Sequence, residues 1–382
     1  MNQPDLIVIG ASARAAAFSA ARAGYAPWWI DQFGDSDLRG AFPGRRVPAR
    51  NYPDGIPELI AQAPHAPWLY TGALENHLDV LERVAALRPL LGNDRGVCER
   101  VRDPWRLQAC LRGAGIPFPE TLPAGGARPA GGEWTAKPLR SSGGQGIRPL
   151  GAGEIPGAGF YAQRLLHGEG FSAVYVADGC AASLLGVTQQ LVGLPEFHAA
   201  PFSYCVSIGP VPLMDRERRQ WHRVGAAVAA EFGLRGMFGV DAVRTEAGIV
   251  PLEINPRYSA SVEVIEHAFD MHAIRLHVEA CAGHLPADLP AVADVWIGKA
   301  YLFAPREIAF PDPARILDMT GVEADLQFAD VPDAGAHIAA GAPIMTLLVR
   351  GSGANACAAA LSRCARRVYG LLDFGATPAI RA

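Results

Sequence analysis

A strand–turn–strand segment at residues 236–258, GMFGVDAVRTEAGIVPLEINPRY, constrains this chain more than any other stretch. Residues 237–244 are β-branched or aromatic with patches of alternation, TEAG supplies a turn, and 249–254 is apolar again, which predicts a hairpin. A three-residue loop ending on Gly248 in a left-handed conformation sets Asp241 opposite Glu253. Side chains alternate along a strand, so Glu253 and Asn255 share a face while Ile254 points into a core. Two carboxylates and an amide oxygen then converge on a small volume, a hard-oxygen set that suits Mg²⁺ with phosphate and water completing its shell. An ordinary hairpin with acidic residues at its solvent edge is the other reading of these residues alone.

A chain of 382 residues predicts two or three domains, and half of its residues are hydrophobic. The formal net charge of −4 offers no basic stripe, so neither nucleic acid nor an anionic membrane is an expected partner. Seven cysteines without a CxxC pair point to a reducing compartment, and the opening residues lack a cationic leader. With no apolar run near 18 residues, a soluble, cytoplasmic protein is expected. Of 34 basic residues only Lys137 and Lys299 are lysines, so each is a candidate for a role that needs a compact ammonium.

Residues 5–31 read as strand, helix, strand, with Gly10 at the first turn and Asp31 ending the second strand. The glycine pattern is GASARA rather than GxGxxG, which favours a Rossmann-like structural unit over a dinucleotide site. Further α/β units run to a boundary near residue 98, followed by a helix with Asp103 as N-cap and Pro104 in its first turn. Next, EWTAKPLRSSGGQGIRPL places Lys137 on a short strand before a loop of Ser141, Ser142, Gly143, Gly144, Gln145 and Gly146. Strand-to-strand is the wrong context for a P-loop, yet unblocked backbone N–H groups in such a loop can fold over phosphates with a lysine beside them. Strands over 159–179 and 181–192 and an amphipathic helix at 214–234 lead into the hairpin, and one helix over 259–283 carries His267, His272 and His277 as packing or surface residues. From about residue 290 the pattern turns strand-rich and closes with a helix. The expected division is 1–97, 98–290 and 291–382.

This ordered set of strand lysine, glycine loop, hairpin and D…ExNPR resembles the ATP-grasp superfamily. The resemblance spans the chain: a Rossmann-like N-terminal domain, an α+β catalytic module and a small C-terminal domain, in an α/β protein overall. LIVIGASARAAAFSAARAGY and LEINPRYSAS are most similar to the branch of ATP-dependent carboligases that includes tyramine–glutamate ligases of methanofuran synthesis. The resemblance implies ATP and Mg²⁺. Lys137 would contact the α- and β-phosphates, and Ser141, Ser142, Gly143, Gly144 and Gly146 would close over the triphosphate. Gln163, Arg164 and Leu166 would read the adenine, and Glu169 would reach the ribose. Asp241, Glu253 and Asn255 would hold the metal, and Arg257 would face the transferred phosphoryl group. Three positions depart from the family pattern: Pro104 stands where a first lysine is usual, with Arg102 or Arg106 as substitutes; Gly170 stands where the ribose glutamate is usual; and Gln163 replaces the hinge acid.

The implied reaction is ADP-forming ligation of a carboxylate to an amine through an acyl phosphate, with glutamate or another amino acid as one partner, in assembly of a one-carbon carrier of the methanofuran or tetrahydromethanopterin type. Carboxylation through carboxyphosphate, as in biotin carboxylase, is the second reading, and a non-catalytic ATP-binding regulator the third. Relatives of this kind are often homodimers. Ser12, Arg14, the 257–261 loop and Lys299 are where substrate contacts are sought.

Overall fold

The computed structural model describes residues 3–126, 131–246, 248–286, 293, 295–318 and 325–372. The first part is β1 (Leu6–Gly10), α1 (Arg14–Arg22), β2 (Pro27–Asp31), α2 (Ser36–Ala41), β3 (Gly44–Arg46), α3 (Ile56–Ala61), β4 (Trp68–Tyr70) and α4 (Leu78–Ala85), with strands parallel in the order β3-β2-β1-β4. β1 is buried at every residue, as a parallel strand covered on both faces must be. Gly10 serves sheet packing: a Cβ there would stand 1.9 Å from the Thr71 hydroxyl oxygen. Asp31 is occupied by backbone, accepting from the N–H groups of Ala13, Phe33 and Gly34. Both residues that imitate a dinucleotide fingerprint are thus engaged in building the fold.

Helices α5 (Arg95–Val101) and α6 (Pro104–Gly113) follow, and the Asp103 carboxylate caps α6 by accepting from Trp105 and Arg106 N–H. A small antiparallel sheet holds β5 (Thr121–Leu122), β6 (Trp134–Pro138), β7 (Arg148–Pro149) and β8 (Phe160–Arg164). Then come β9 (Glu169–Asp178), β10 (Ala182–Val192), β11 (Tyr204–Gly209), α7 (Asp215–Phe232), β12 (Arg235–Thr245), β13 (Gly248–Asn255), α8 (Ala260–Phe269) and α9 (Ala273–Cys281). The last part is β14 (Trp296–Phe303), β15 (Ile308–Ala309), α10 (Ala314–Leu317), β16 (Leu326–Ala329), β17 (His337–Ile338), β18 (Pro343–Gly351) and α11 (Ala354–Leu371). Strands from both halves form one sheet of order β13-β12-β9-β10-β11-β14-β18-β16. The expected boundary at 290/291 lies outside the described residues.

Alternation explains how β12 serves two ends. Phe238, Val240 and Ala242 face the core beneath α7, where Tyr175 and Phe238 stack with ring centroids 4.9 Å apart. On the opposite face Met237 packs in the core that contains Ile274 of α9, Gly239 lies under Ser259, and Asp241 opens into the cleft.

Two details differ from the sequence reading. The stretch 259–283 is two helices, because Asp270 takes a left-handed conformation (φ +49°) that ends α8. His277 is then a buried residue of α9 whose Nδ1 accepts from Met237 N–H, while His272 lies at the start of that helix. The hairpin pairs down to Thr245 and Gly248, one residue tighter than expected, with Gly248 at φ +110°. Ala247, within the expected TEAG turn, lies outside the described residues.

Candidate active site

The register of β12 and β13 pairs Asp241 with Glu253, and a bulge follows at once between Asp241 and Ala242. The Asn255 amide donates to Asp241 Oδ2 at 3.0 Å. Arg257 leaves the strand end and donates to Asn255 Oδ1 at 3.2 Å, to the Tyr258 carbonyl at 3.2 Å and to Glu75 at 2.9 Å. From the small sheet, Lys137 of β6 brings its ammonium to 3.5 Å from Glu253 and 3.1 Å from the Gln163 amide oxygen. The three expected metal ligands, the lysine and the arginine therefore meet at one place.

The charges there are mutually adjusted. Burial pushes the Asp241 carboxyl up to about 6, and the neighbouring Glu253 adds to the rise. Burial also works against ionised Glu253, but Lys137 and then Arg102 outweigh it and hold that carboxyl below its usual range. Lys137 keeps its proton although burial disfavours the charge, because Tyr161 and Glu253 lie beside it.

The glycine loop is held at both sides. Ser142 donates to Glu75 at 3.2 Å and accepts from Asn76 at 2.9 Å, and Tyr204 N–H donates to the Gly143 carbonyl at 3.1 Å. Gly144, at φ +79°, lies so close to the Phe202 carbonyl that a Cβ would stand 2.0 Å from its oxygen. Ser142, Gly143 and Gly144 line a cleft of about 1070 Å³ together with Lys137, Gln163, Arg164, Leu166, Glu169, Asp241, Glu253, Asn255 and Arg257. Ser141 and Gly146 are not on its wall; the Ser141 carbonyl accepts from Arg102 at 2.9 Å. The Gln163 side chain accepts from Lys137 and donates to Thr121. Glu169 is paired with Arg244. Of the two arginines considered beside Pro104, Arg102 donates to the loop at the Ser141 carbonyl and its charge acts on Glu253, whereas the Arg106 side chain is 61% exposed and turned to Asp103.

Residues 101–261 match the family described as the ATP-grasp domain. This segment is an ATP-grasp domain. No curated protein sequence matches the chain. Among solved structures, an L-amino acid ligase from Bacillus licheniformis superposes with a TM-score of 0.68 at 13% identity, over 95% of this chain and 98% of that one. N5-carboxyaminoimidazole ribonucleotide synthetase from Thermus thermophilus gives 0.68 at 14% identity, over 94% and 98%. A biotin carboxylase complex from Campylobacter jejuni gives 0.68 at 14%, over 93% and 89%. Likeness at these identities establishes the fold, and the chain has the ATP-grasp fold with mixed helices and sheets.

Within the ATP-grasp domain the donor set fits a divalent ion. Two carboxylates side by side, one pushed up by burial and further by the other, are what a dication relieves. Among the described residues no three His, Cys, Asp or Glu side chains form a ready-made cage, so an ion here would complete its shell with phosphate oxygens and water. Glu75 escaped the sequence reading. It lies in the turn Leu74–Asn76, 182 positions before Arg257, and nothing local marks it. Its second oxygen, Oε2, is buried without a partner.

Proposed function

We propose that the protein is an ADP-forming carboxylate–amine ligase. The observation that carries this reading is the meeting of Lys137, Asp241, Glu253, Asn255 and Arg257 under a glycine loop. In this reading ATP is a substrate: its γ-phosphoryl group passes to a substrate carboxylate, and an amine then displaces phosphate from the acyl phosphate. Asp241, Glu253 and Asn255 would hold Mg²⁺, which when bound supplies charge neutralisation at the phosphates. Lys137 places a point charge against the α- and β-phosphates, and Arg257, fixed by Glu75, directs N–H donors at the oxygens on which charge builds. Ser142, Gly143 and Gly144 cover the triphosphate and keep water from the acyl phosphate. Arg164, Leu166 and Glu169 border the nucleoside end, while Ser141 and Gly146 act by shaping the loop. No side-chain nucleophile is required.

The finer assignment is an amino acid such as glutamate as one substrate, in assembly of a C1-carrying cofactor and in the tyramine–glutamate ligase branch; the matching opening and LEINPRYSAS segments support it. The division into a Rossmann-like part to residue 97, a catalytic module to 290 and a C-terminal domain belongs to the same proposal, as do a cytoplasmic setting and a homodimer. The described residues include no helix long and apolar enough to cross a membrane.

The test is ADP release from Mg²⁺-ATP across carboxylate and amine pairs, with Glu253→Gln alongside. Turnover that needs both partners and vanishes in Glu253→Gln is expected. Release that needs bicarbonate and no amine would replace ligation with carboxylation, and tight ATP binding without turnover on any pair would favour a regulator.

A further inference from the structure

Beyond the phosphate-binding end, the cleft runs along the sheet to a second group of polar residues. The strand registers align Asp241 with Ser172, Ser172 with Thr188, and Ser207 with Lys299, while Ser207 faces Gln190 two residues beyond Thr188. Asp241, Ser172, Thr188, Ser207 and Lys299 therefore share one face of the sheet. Four strand spacings separate β12 from β14, which places Lys299 about 19 Å from Asp241 along the sheet. This end is too remote for a group bound at the metal-ligand set.

Its hydrogen bonds are unequally filled. Arg14 donates through NH1 and NH2 to Glu263 and through Nε and NH2 to Asp330, so its guanidinium is occupied. Asp330 also accepts from Ser12 at 3.2 Å and Thr346 at 2.5 Å. Lys299 donates to Glu263 at 2.7 Å and lies over the Tyr301 ring at 5.2 Å. An ammonium has three donors. Among the described residues Lys299 has no other hydrogen-bond partner, although it is 1% exposed and lines the cleft. The hydroxyl of Tyr258, which lines the same cleft and feels the charges of Glu263 and Arg14, is buried with no partner. Buried polar groups are rarely left this way, and unfilled donors at one end of a cleft call for an acceptor.

Resting on the ligase reading, we propose that this end is a subsite for a substrate carboxylate, one that is recognised rather than phosphorylated. A carboxylate is acceptor-only and matches a lysine with a hydroxyl at the same end of the cleft. The ligase would then require an acidic group on one substrate, separate from the carboxyl it activates, and would reject simple amines and monoacids that lack it. Retention of lysine at this point, in a chain whose basic residues are otherwise arginine apart from Lys137, fits a point charge with free N–H groups.

The same scarcity supplies the experiment. Lysine labelled with ¹³C at Cε gives two side-chain signals in the full chain, assigned with Lys137→Met and Lys299→Met. With Mg²⁺-ADP present, glutarate, glutaramide and inorganic phosphate are titrated. Glutarate is expected to move the Lys299 signal saturably and leave that of Lys137 in place, and glutaramide to move neither. Lys299→Met should bind glutarate roughly tenfold or more weakly. Tyr258→Phe removes a hydroxyl that no described residue partners, and should weaken glutarate severalfold even where Lys299→Met does not fold. An equal response to glutaramide, a Lys299 signal moved by phosphate more tightly than by glutarate, unchanged glutarate affinity in the variants, or no movement of the Lys299 signal would each overturn the subsite. Failure of the ligase reading shows separately, as no ADP release from Mg²⁺-ATP on any carboxylate and amine pair.

Discussion

Replacing Glu75 by alanine tests whether the N-terminal part holds Arg257 in place. The Glu75–Arg257 pair is 2.9 Å long with side chains 2% and 9% exposed, so solvent screens it little. Removing one partner of a buried pair leaves an uncompensated charge and costs about 3–5 kcal/mol. Arg257 keeps the Asn255 and Tyr258 oxygens as acceptors, which puts the expected loss at the lower end, about 3 kcal/mol. For a chain of 382 residues that is a fall of roughly 4 °C in Tm by differential scanning calorimetry. Glu75 also accepts from Ser142, so the glycine loop loses an anchor and affinity for Mg²⁺-ATP should drop in the same variant. The double variant with Arg257→Ala should lose less stability than the sum of the singles, since the orphaned charge is then gone. A Glu75→Ala protein that melts within about 2 °C of wild type, or singles that simply add, would refute the reasoning.

Asp35 is pushed up to about 8 by burial and by Asp330, Asp31 and Asp37. A raised folded-state value stabilises the fold fully below the ordinary range near 4, and that contribution disappears as pH rises through about 8. Asp35→Asn should therefore raise Tm at pH 8.5 and do little at pH 4, as melting curves across that interval will show; a uniform shift would argue against it. Gly144→Ala adds a Cβ 2.0 Å from the Phe202 oxygen at φ +79°, so the loop must move. Calorimetric affinity for Mg²⁺-ATP should fall roughly tenfold or more with the melting temperature nearly unchanged, because a surface loop opens locally. Lys137→Met should cost nucleotide affinity and let Glu253 titrate closer to its ordinary range, measurable by NMR of its side-chain carboxyl, while Lys137→Arg restores charge without affinity because Gln163 and Glu253 flank a single ammonium.

The hairpin was legible because its signal is local. Alternation on two strands and a glycine after the turn bring Asp241 close to Glu253. The turn is one residue tighter than the spacing suggests, and the bulge between Asp241 and Ala242, which no residue type announces, restores the pair. Lys137 was legible through rarity, and the Asp103 cap through residue chemistry. What the chain hides is long-range. Arg102 and Arg106 are equivalent by composition and differ only in which side of their surroundings faces the loop. Gln163 is an adenine contact only by the family resemblance, and its amide turns to Lys137 on the paired strand. The break at Asp270 had no glycine or proline to announce it, and an apolar pattern continuing on both sides hid a change of direction.

The single sheet shared by the two halves bears on how this protein can be handled. Residues 101–261, which carry the matched domain, end before β14, and it is β14 that hydrogen-bonds to β11 through Val206, Ser207, Ile208 and Gly209. Excising that segment would leave β11 with a bare row of N–H and C=O groups beside the buried side chains Val206 and Ile208, a template on which other chains add strands. A fragment made for its apparent completeness should precipitate or form filaments, while the longer chain stays dispersed, because the C-terminal strands act as the cover of that edge.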